Sequence, residues 1–147
     1  MPNAKIVGYC SLATLIALYV VGAVSAIPGS LRHEVQTLPL WFPIVAGFRQ
    51  KDSTKWSALP CMIFWLLIMG FIWLFLLGLP SPVSGTFNAI EITMTLIVGA
   101  ASLIGIAVSV RWRTTTRLMT AIGVFLLFLV LQVGAMALSL TRYIANR

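Results

Sequence analysis

The chain has 147 residues, of which 60% are hydrophobic and 9% are charged, and its mean hydropathy is +1.02. These values exclude a disordered chain, a collagen-like repeat and a small disulfide scaffold. Ten Lys and Arg against three Asp and Glu give a net charge of +7. The basic residues lie between apolar runs, which is typical of membrane orientation and contact with anionic lipid rather than of nucleic-acid binding.

Four apolar runs are long enough to cross a bilayer as helices, because about 30 Å of hydrocarbon needs about 20 helical residues. They cover residues 6–27, 57–79, 90–110 and 118–141. None of them shows the two-residue alternation of a transmembrane β-barrel. We therefore predict an all-α integral membrane protein, a single domain of four transmembrane helices in a compact bundle.

The third run begins with a recognisable helix start. Asn88 stands three residues before Glu91, which predicts a capping box. Glu91 is also the one ionisable residue close to the predicted hydrocarbon, so it is a candidate for cation or proton coupling. Its place in the first turn favours capping, and transport is the alternative.

The distribution of basic residues predicts the orientation. The segments 28–56 and 111–117 hold seven Lys and Arg, whereas the two ends of the chain hold three: Lys5, Arg142 and Arg147. We expect both segments in the cytoplasm and both termini outside, with a bacterial inner membrane as the location. A cleavable signal peptide ending near Ala26 is the competing interpretation, but its apolar stretch of about 22 residues exceeds the usual 7 to 15.

The long segment between the first two runs has a pattern of its own. Its apolar stretch is interrupted by Pro39 and Pro43 and is too short to cross a bilayer unaided, so we predict an interfacial or re-entrant loop. Arg32, His33 and Glu34 precede this stretch at the predicted head-group level. Neighbouring residues of a helix point about 100° apart, so adjacency alone does not make these three a joint site.

Several polar residues near the predicted interface are candidates for binding lipid phosphate or another ligand, because arginine pairs with phosphate in a bidentate manner. They are Arg32, His33, Glu34, Arg49, Arg111, Arg113 and Arg117. Trp112 stands among the last three and is suited to the head-group belt. We expect anionic lipids to contact these segments.

Helix packing has a second signature, small residues at four-residue spacing that let helix backbones approach closely. The residues concerned are Gly22, Ala26, Ala101, Gly105 and Ser109. Gln132, in the middle of the fourth run, is expected to hydrogen-bond a neighbouring helix rather than a substrate.

Few residues are suited to catalysis or metal binding. The apolar runs contain no histidine, and no thiol pair, nucleophile elbow or phosphate-binding loop occurs. Cys10 is expected about one turn inside the outer end of the first span and Cys61 about one turn inside the inner end of the second, so they should lie about 20 Å apart along the bundle axis, beyond disulfide reach. We expect no metal and no cofactor.

These observations favour a non-enzymatic membrane protein that binds membrane-protein partners or lipids, as an accessory subunit, an assembly factor or an inhibitor. A small oligomeric transporter or channel that uses Glu91 is the alternative. A third hypothesis is an interfacial lipid-modifying enzyme that uses Arg32, His33 and Glu34 together with Arg49.

Overall fold

The computed structural model describes residues 2–25 and 31–141, and all regular structure in these ranges is helical. In chain order the helices are α1 (Pro2–Val24), α2 (Arg32–Thr37), α3 (Trp41–Phe48), α4 (Ser53–Leu76), α5 (Ala89–Arg111) and α6 (Leu118–Ser139), and a 3-10 turn over Leu38–Leu40 joins α2 to α3. Helices α1, α4, α5 and α6 are each long and apolar enough to cross a membrane. The prediction of four long apolar helices is therefore confirmed, and these helices suggest a membrane protein.

Backbone hydrogen bonds explain where two of the helices end. Gly78 has a φ of 73°, its N–H donates to the Phe75 carbonyl at 3.0 Å, and the Leu79 N–H donates to the Leu74 carbonyl at 2.9 Å. This is a Schellman motif with glycine in the left-handed position, and it stops α4 three residues before the predicted end. Helix α3 ends in the same way at Gln50, whose φ is 52°.

The start of α5 is the predicted capping box. The Asn88 side-chain oxygen accepts a hydrogen bond from the Glu91 N–H at 2.8 Å, and the Glu91 carboxylate accepts one from the Asn88 N–H at 2.8 Å. Two backbone N–H groups that a helix start leaves unpaired are thus satisfied. The capping role of Glu91 is confirmed.

Residues 32–48 form a helical run, interrupted at Pro39, that extends along α1 in the opposite direction. At one end the His33 side chain packs against Gly22 of α1, and at the other end Gly47 packs against Gly8 near the start of α1. At about 1.5 Å per residue the run is about 26 Å long. The stretch predicted as an interfacial or re-entrant loop is thus helical, and the 3-10 turn over Leu38–Leu40 joins its apolar part to α2.

This run brings the chain back, so α4 starts at the same end of the bundle as α1. There the Lys55 ammonium donates to the Trp112 carbonyl at 2.6 Å, and the Asp52 carboxylate accepts from the Thr115 N–H at 3.1 Å and hydroxyl at 3.0 Å. We call this the basic end, defined by the turn 49–52 and the segment 112–117.

The opposite end contains the end of α1, the start of α2 and the segment 77–88, and we call it the cleft end. The Asn88 amide donates to the Val24 carbonyl at 3.4 Å, and the Gln36 amide donates to the Ser139 hydroxyl near the end of α6 at 2.9 Å. Helix α1 therefore begins at the basic end while α6 finishes at the cleft end. This arrangement does not support the prediction that both termini lie on one side.

The parallel direction of α1 and α4 also corrects the expected distance between the two cysteines. Cys10 of α1 packs in one cluster with Met62, which is the neighbour of Cys61 in α4. The two cysteines thus lie at similar depth rather than about 20 Å apart along the axis. Both are buried and free.

The helices close into a ring. Helix α5 packs against α1, α1 against the run 32–48, this run against α6, α6 against α4, and α4 again against α5. The basic half of the ring is filled by a compact cluster of Val7, Cys10, Ala58, Met62 and Ala101. The cleft half is filled less completely, and this is where the candidate site lies.

Candidate functional site

A cavity of about 670 Å³ lies inside the ring at the cleft end. Helices α1, α2, α4, α5 and α6 and the segment 82–87 all contribute to its lining. Most of the wall is apolar, with deep residues Leu18, Trp65, Met69 and Val98. The volume and the apolar wall are those of pockets that hold small organic ligands.

The cavity is confined to one half of the bundle. Every lining residue of the long helices α1, α4, α5 and α6 belongs to the cleft-end half of its helix or lies just beyond that end. The other half contains the packed cluster around Met62, whose side chain is fully buried. The cavity therefore lies at one end of the bundle and does not pass through it.

The polar side chains that line this cavity include four from α2 and the start of α5: Arg32, His33, Gln36 and Glu91. Arg32 makes no hydrogen bond or ion pair with the described residues. Glu91 is 9% exposed, and its Oε2 atom is held by the capping bond from Asn88. One cation and one anion therefore face the same apolar space, and neither is neutralised by an ion pair within the described residues.

His33 is fixed between two helices. Its Nδ1 atom is buried and has no hydrogen-bond partner among the described residues. A side-chain carbon at Gly22 of α1 would lie 3.1 Å from the His33 Cβ and 3.3 Å from this nitrogen. Gly22 thus lets α2 approach α1 closely enough for His33 to reach the cavity.

A small polar network fixes α2 against α6 beside the cavity. The Gln36 amide donates to the Ser139 hydroxyl at 2.9 Å, and the Gln132 amide donates to the Gln36 carbonyl at 3.0 Å. Gln132 is fully buried, and its Oε1 atom has no partner among the described residues. In an apolar surrounding such bonds favour one position of α2 on α6.

An outer groove of about 500 Å³ lies between α4 and α5, on the outside of the ring. Gly70 and Gly99 have open space where a side chain would be, which leaves room for the groove. Met69 and Thr95 line both the groove and the inner cavity. These two side chains are thus a shared wall between the inner cavity and the outer surface of the bundle.

The predicted interfacial residues lie at two separate places. Arg32 and His33 line the cavity at the cleft end, Glu34 is exposed and does not line it, and Arg49 is exposed at the basic end. The run 32–48 thus separates Arg49 from Arg32, His33 and Glu34 by about the length of the bundle. Arg111, Arg113 and Arg117 are also exposed near the basic end.

The segment 112–117 also differs from the predicted anchor in one respect. Trp112 is only 3% exposed, and its carbonyl accepts the hydrogen bond from Lys55. The indole packs inside the protein instead of lying free in a head-group belt. The arginines on either side remain available to lipid head groups.

The residues expected at helix contacts are all buried where the structure describes them, apart from Gly22, which is half-buried. Ala101, Gly105 and Ser109 lie on the inner face of α5, and Gly105 packs against Met62 of α4 and Cys10 of α1. The Ser109 hydroxyl has no partner among the described residues. Ala26 lies outside the described residues.

Sequence reasoning missed three parts of the cavity: Gln36, Trp65 and the segment 82–87. Gln36 gave a usable signal, since a polar residue four positions before Leu40 stands on the same helix face as a core residue. No local signal placed Trp65 inside, because apolar and aromatic residues surround it on every side of α4.

No family model, curated protein or solved structure matches this chain. Among residues 2–25 and 31–141, no three His, Cys, Asp or Glu side chains come together in a way that suits a metal ion. The cavity and its charged rim are therefore the features from which a function is argued.

Proposed function

We propose that the protein is a non-enzymatic multi-pass membrane protein that binds a membrane lipid in the cavity inside the ring. The observation that carries this proposal is the combination of an apolar wall with two charged side chains, Arg32 and Glu91, at the cleft end. A lipid has the same division into an apolar chain and a polar head group. A small polar solute would leave most of this wall without a partner.

The outer surface of the run 32–48 supports its insertion in a bilayer. Apart from Glu34 in its first turn, its exposed large side chains are apolar, and they are Leu38, Trp41, Phe42, Val45 and Phe48. Its polar residues Gln36 and Thr37 are buried against the other helices. This distribution is the reverse of a helix packed on a water-soluble protein and is suited to lipid on the outside. We therefore propose five crossings rather than four.

Five crossings change the proposed orientation. The basic end carries seven cations, which are Lys5, Arg49, Lys51, Lys55, Arg111, Arg113 and Arg117. The excess of positive charge favours the cytoplasm for this end, where it contacts anionic head groups. In a bacterial inner membrane, the N-terminus is then inside, the C-terminus is outside, and the cavity opens on the outer side.

Cysteine labelling in intact cells tests this topology. In a chain with Cys10→Ala and Cys61→Ala, we expect a membrane-impermeant maleimide to label Glu34→Cys without permeabilisation, and Lys51→Cys only after it. If the run 32–48 stays on one side of the membrane, the cysteines at positions 34 and 51 should be labelled under the same conditions. That result would contradict five crossings.

The outer groove gives the lipid a route from the bilayer. The groove between α4 and α5 faces the outside of the ring, and only Met69 and Thr95 belong to both the groove and the cavity. Methionine is unbranched and changes its rotamer easily. An acyl chain lying in the groove thus needs a side-chain movement, rather than a helix movement, to reach the inner cavity.

Filling the cavity tests lipid binding directly. Met94 is half-buried and lines the cavity but not the groove. We expect Met94→Trp to reduce the lipid that co-purifies with the protein in mild detergent, measured by mass spectrometry. Met119→Trp adds the same indole at a position that is 81% exposed on α6 and should have no effect. Equal lipid in both variants and in the native protein would refute the proposal.

A proton- or cation-coupled transporter is the second candidate, favoured by one observation: Glu91 is buried and lines the cavity. The filled basic half of the ring requires a second conformation for this function. Proton-coupled uptake in liposomes that disappears with Glu91→Gln would favour transport over binding alone.

A further inference from the structure

We propose that the cavity selects a lipid with a zwitterionic head group, in which a phosphate pairs with Arg32 and an ammonium group pairs with Glu91. This inference rests on the proposed function and names the chemical class of the lipid. Phosphatidylethanolamine has this chemistry, with one negative and one positive group a few bonds apart.

The charges that line the cavity carry the inference. Its lining contains one guanidinium, from Arg32, and one carboxylate, from Glu91, while the other lining residues are apolar or uncharged, with His33 taken as neutral. An anionic lipid would satisfy the cation but would bring its negative charge close to the carboxylate. A zwitterion provides a partner for both side chains.

The carboxylate is held in a fixed position. The capping bond from the Asn88 N–H occupies Oε2 of Glu91, and among the described residues no hydrogen bond reaches Oε1. A buried carboxylate is costly unless its oxygens have partners. An ammonium group donates up to three hydrogen bonds, so it supplies the partner that Oε1 lacks.

Arg32 is suited to the other half of the head group. It is half-buried beside the cavity and has no hydrogen bond or ion pair with the described residues. A guanidinium presents its donors in a planar fork that matches two phosphate oxygens. The apolar wall below these two charges favours a lipid over a water-soluble phosphoethanolamine compound.

Native mass spectrometry of the detergent-purified protein provides the test. Dioleoyl phosphatidylethanolamine and dioleoyl phosphatidylglycerol share their chains and differ in the ammonium group. We expect the first to bind about tenfold more tightly, the factor that one partly desolvated ion pair supplies. Glycerophosphoethanolamine, which has the head group without chains, should not bind measurably.

Two variants and one control test which side chain pairs with the ammonium group and which with the phosphate. Glu91→Gln keeps a residue that can form the capping box and should lower affinity for the ethanolamine lipid to that for the glycerol lipid, without weakening the latter. Arg32→Gln should weaken both lipids. Glu34→Gln removes a carboxylate at the same end of the bundle that does not line the cavity, and it should change neither affinity.

The outcomes separate the two proposals. If no lipid binds, the proposed function fails. If both lipids bind the native protein equally, or the glycerol lipid binds more tightly, the zwitterion inference is refuted while lipid binding stands. Binding of glycerophosphoethanolamine as tightly as the lipid would refute a lipid as the source of the head group. The comparison of head groups uses the native chain, so it does not depend on the folding of any variant.

Discussion

The contact between Gly47 and Gly8 is the place where a single methyl group should have the largest effect. A Cβ at Gly47 would lie 2.7 Å from the Gly8 Cα, 2.8 Å from the Ala4 carbonyl oxygen and 3.0 Å from the Gly8 nitrogen. All three atoms belong to the backbone of α1 and have no rotamer to change. Gly47→Ala therefore forces α3 away from α1 by about 1 Å to restore carbon–carbon contacts of about 3.5 to 4.0 Å.

The cost follows from this displacement. Overpacking costs about 1 to 3 kcal/mol, and the upper part of that range applies because helix backbones, not side-chain tips, must separate. Alanine recovers about 1 kcal/mol of helix propensity relative to glycine. We therefore expect Gly47→Ala to lower the free energy of unfolding by about 1 to 2 kcal/mol.

A matched glycine isolates the steric effect. Gly123 of α6 is exposed, and a Cβ at this position would have no neighbouring atom within 4 Å, so Gly123→Ala should stabilise the protein by up to about 1 kcal/mol. At about 4 °C per kcal/mol, the two variants should differ by about 4 to 12 °C in thermal unfolding in detergent, followed by circular dichroism. Equal melting temperatures would refute the close packing of α3 on α1.

Three further substitutions test individual contacts by the same unfolding assay. Lys55→Met removes the hydrogen bond to the Trp112 carbonyl and should cost about 1 to 2 kcal/mol, because a charged donor at a helix C-terminus is lost. Gln132→Met removes the bond to the Gln36 carbonyl together with an unpaired buried oxygen, so it should change stability by less than about 1 kcal/mol. Asn88→Ala removes the side-chain acceptor of the capping box and should cost about 1 kcal/mol. A loss of stability above about 3 kcal/mol for Gln132→Met or for Asn88→Ala would contradict these assignments.

The four long helices could be predicted from the sequence because each consists of an uninterrupted apolar run of the required length. The run 32–48 could not be recognised in this way, because it contains prolines and begins with charged residues. Its helical signal was present in the spacing of Leu38, Trp41, Val45 and Phe48, which recur every three or four residues. The interruption at Pro39 hid this periodicity from a search for continuous hydropathy.

The orientation could not be predicted from the basic residues, because a topology with four crossings and one with five both place seven of them on one side and three on the other. With four crossings, Lys5, Arg142 and Arg147 oppose seven other Lys and Arg. With five crossings, Lys5 joins the basic end and Arg32 leaves it, so three again oppose seven. The positive-inside rule thus gives the more basic side in each case but does not choose between an even and an odd number of crossings.

The residues of the candidate site could be predicted from the sequence, but their proximity could not. Glu91 and the pair Arg32 and His33 could each be chosen from the sequence as polar residues beside apolar runs. These residues line one cavity because the run 32–48 crosses from the cleft end to the basic end. Helix α4 then returns to the cleft end, so α5 starts there, beside the start of α2. No pattern within either segment contains that information.

If the run crosses the bilayer as we propose, its polar face makes its insertion depend on the other helices. Gln36 and Thr37 are buried, and the described partners of the Gln36 side chain are Ser139 and Met136 of α6. Alone in hydrocarbon, the Thr37 hydroxyl would keep its bonds to the His33 and Glu34 carbonyls, but the Gln36 amide would lose its hydrogen bonds to water without a replacement, which is costly. In the proposed topology, the run is therefore stable in the bilayer only when it is packed against α1 and α6 as a member of the ring. Its charged first turn then remains at the cleft end, where Arg32 lines the cavity.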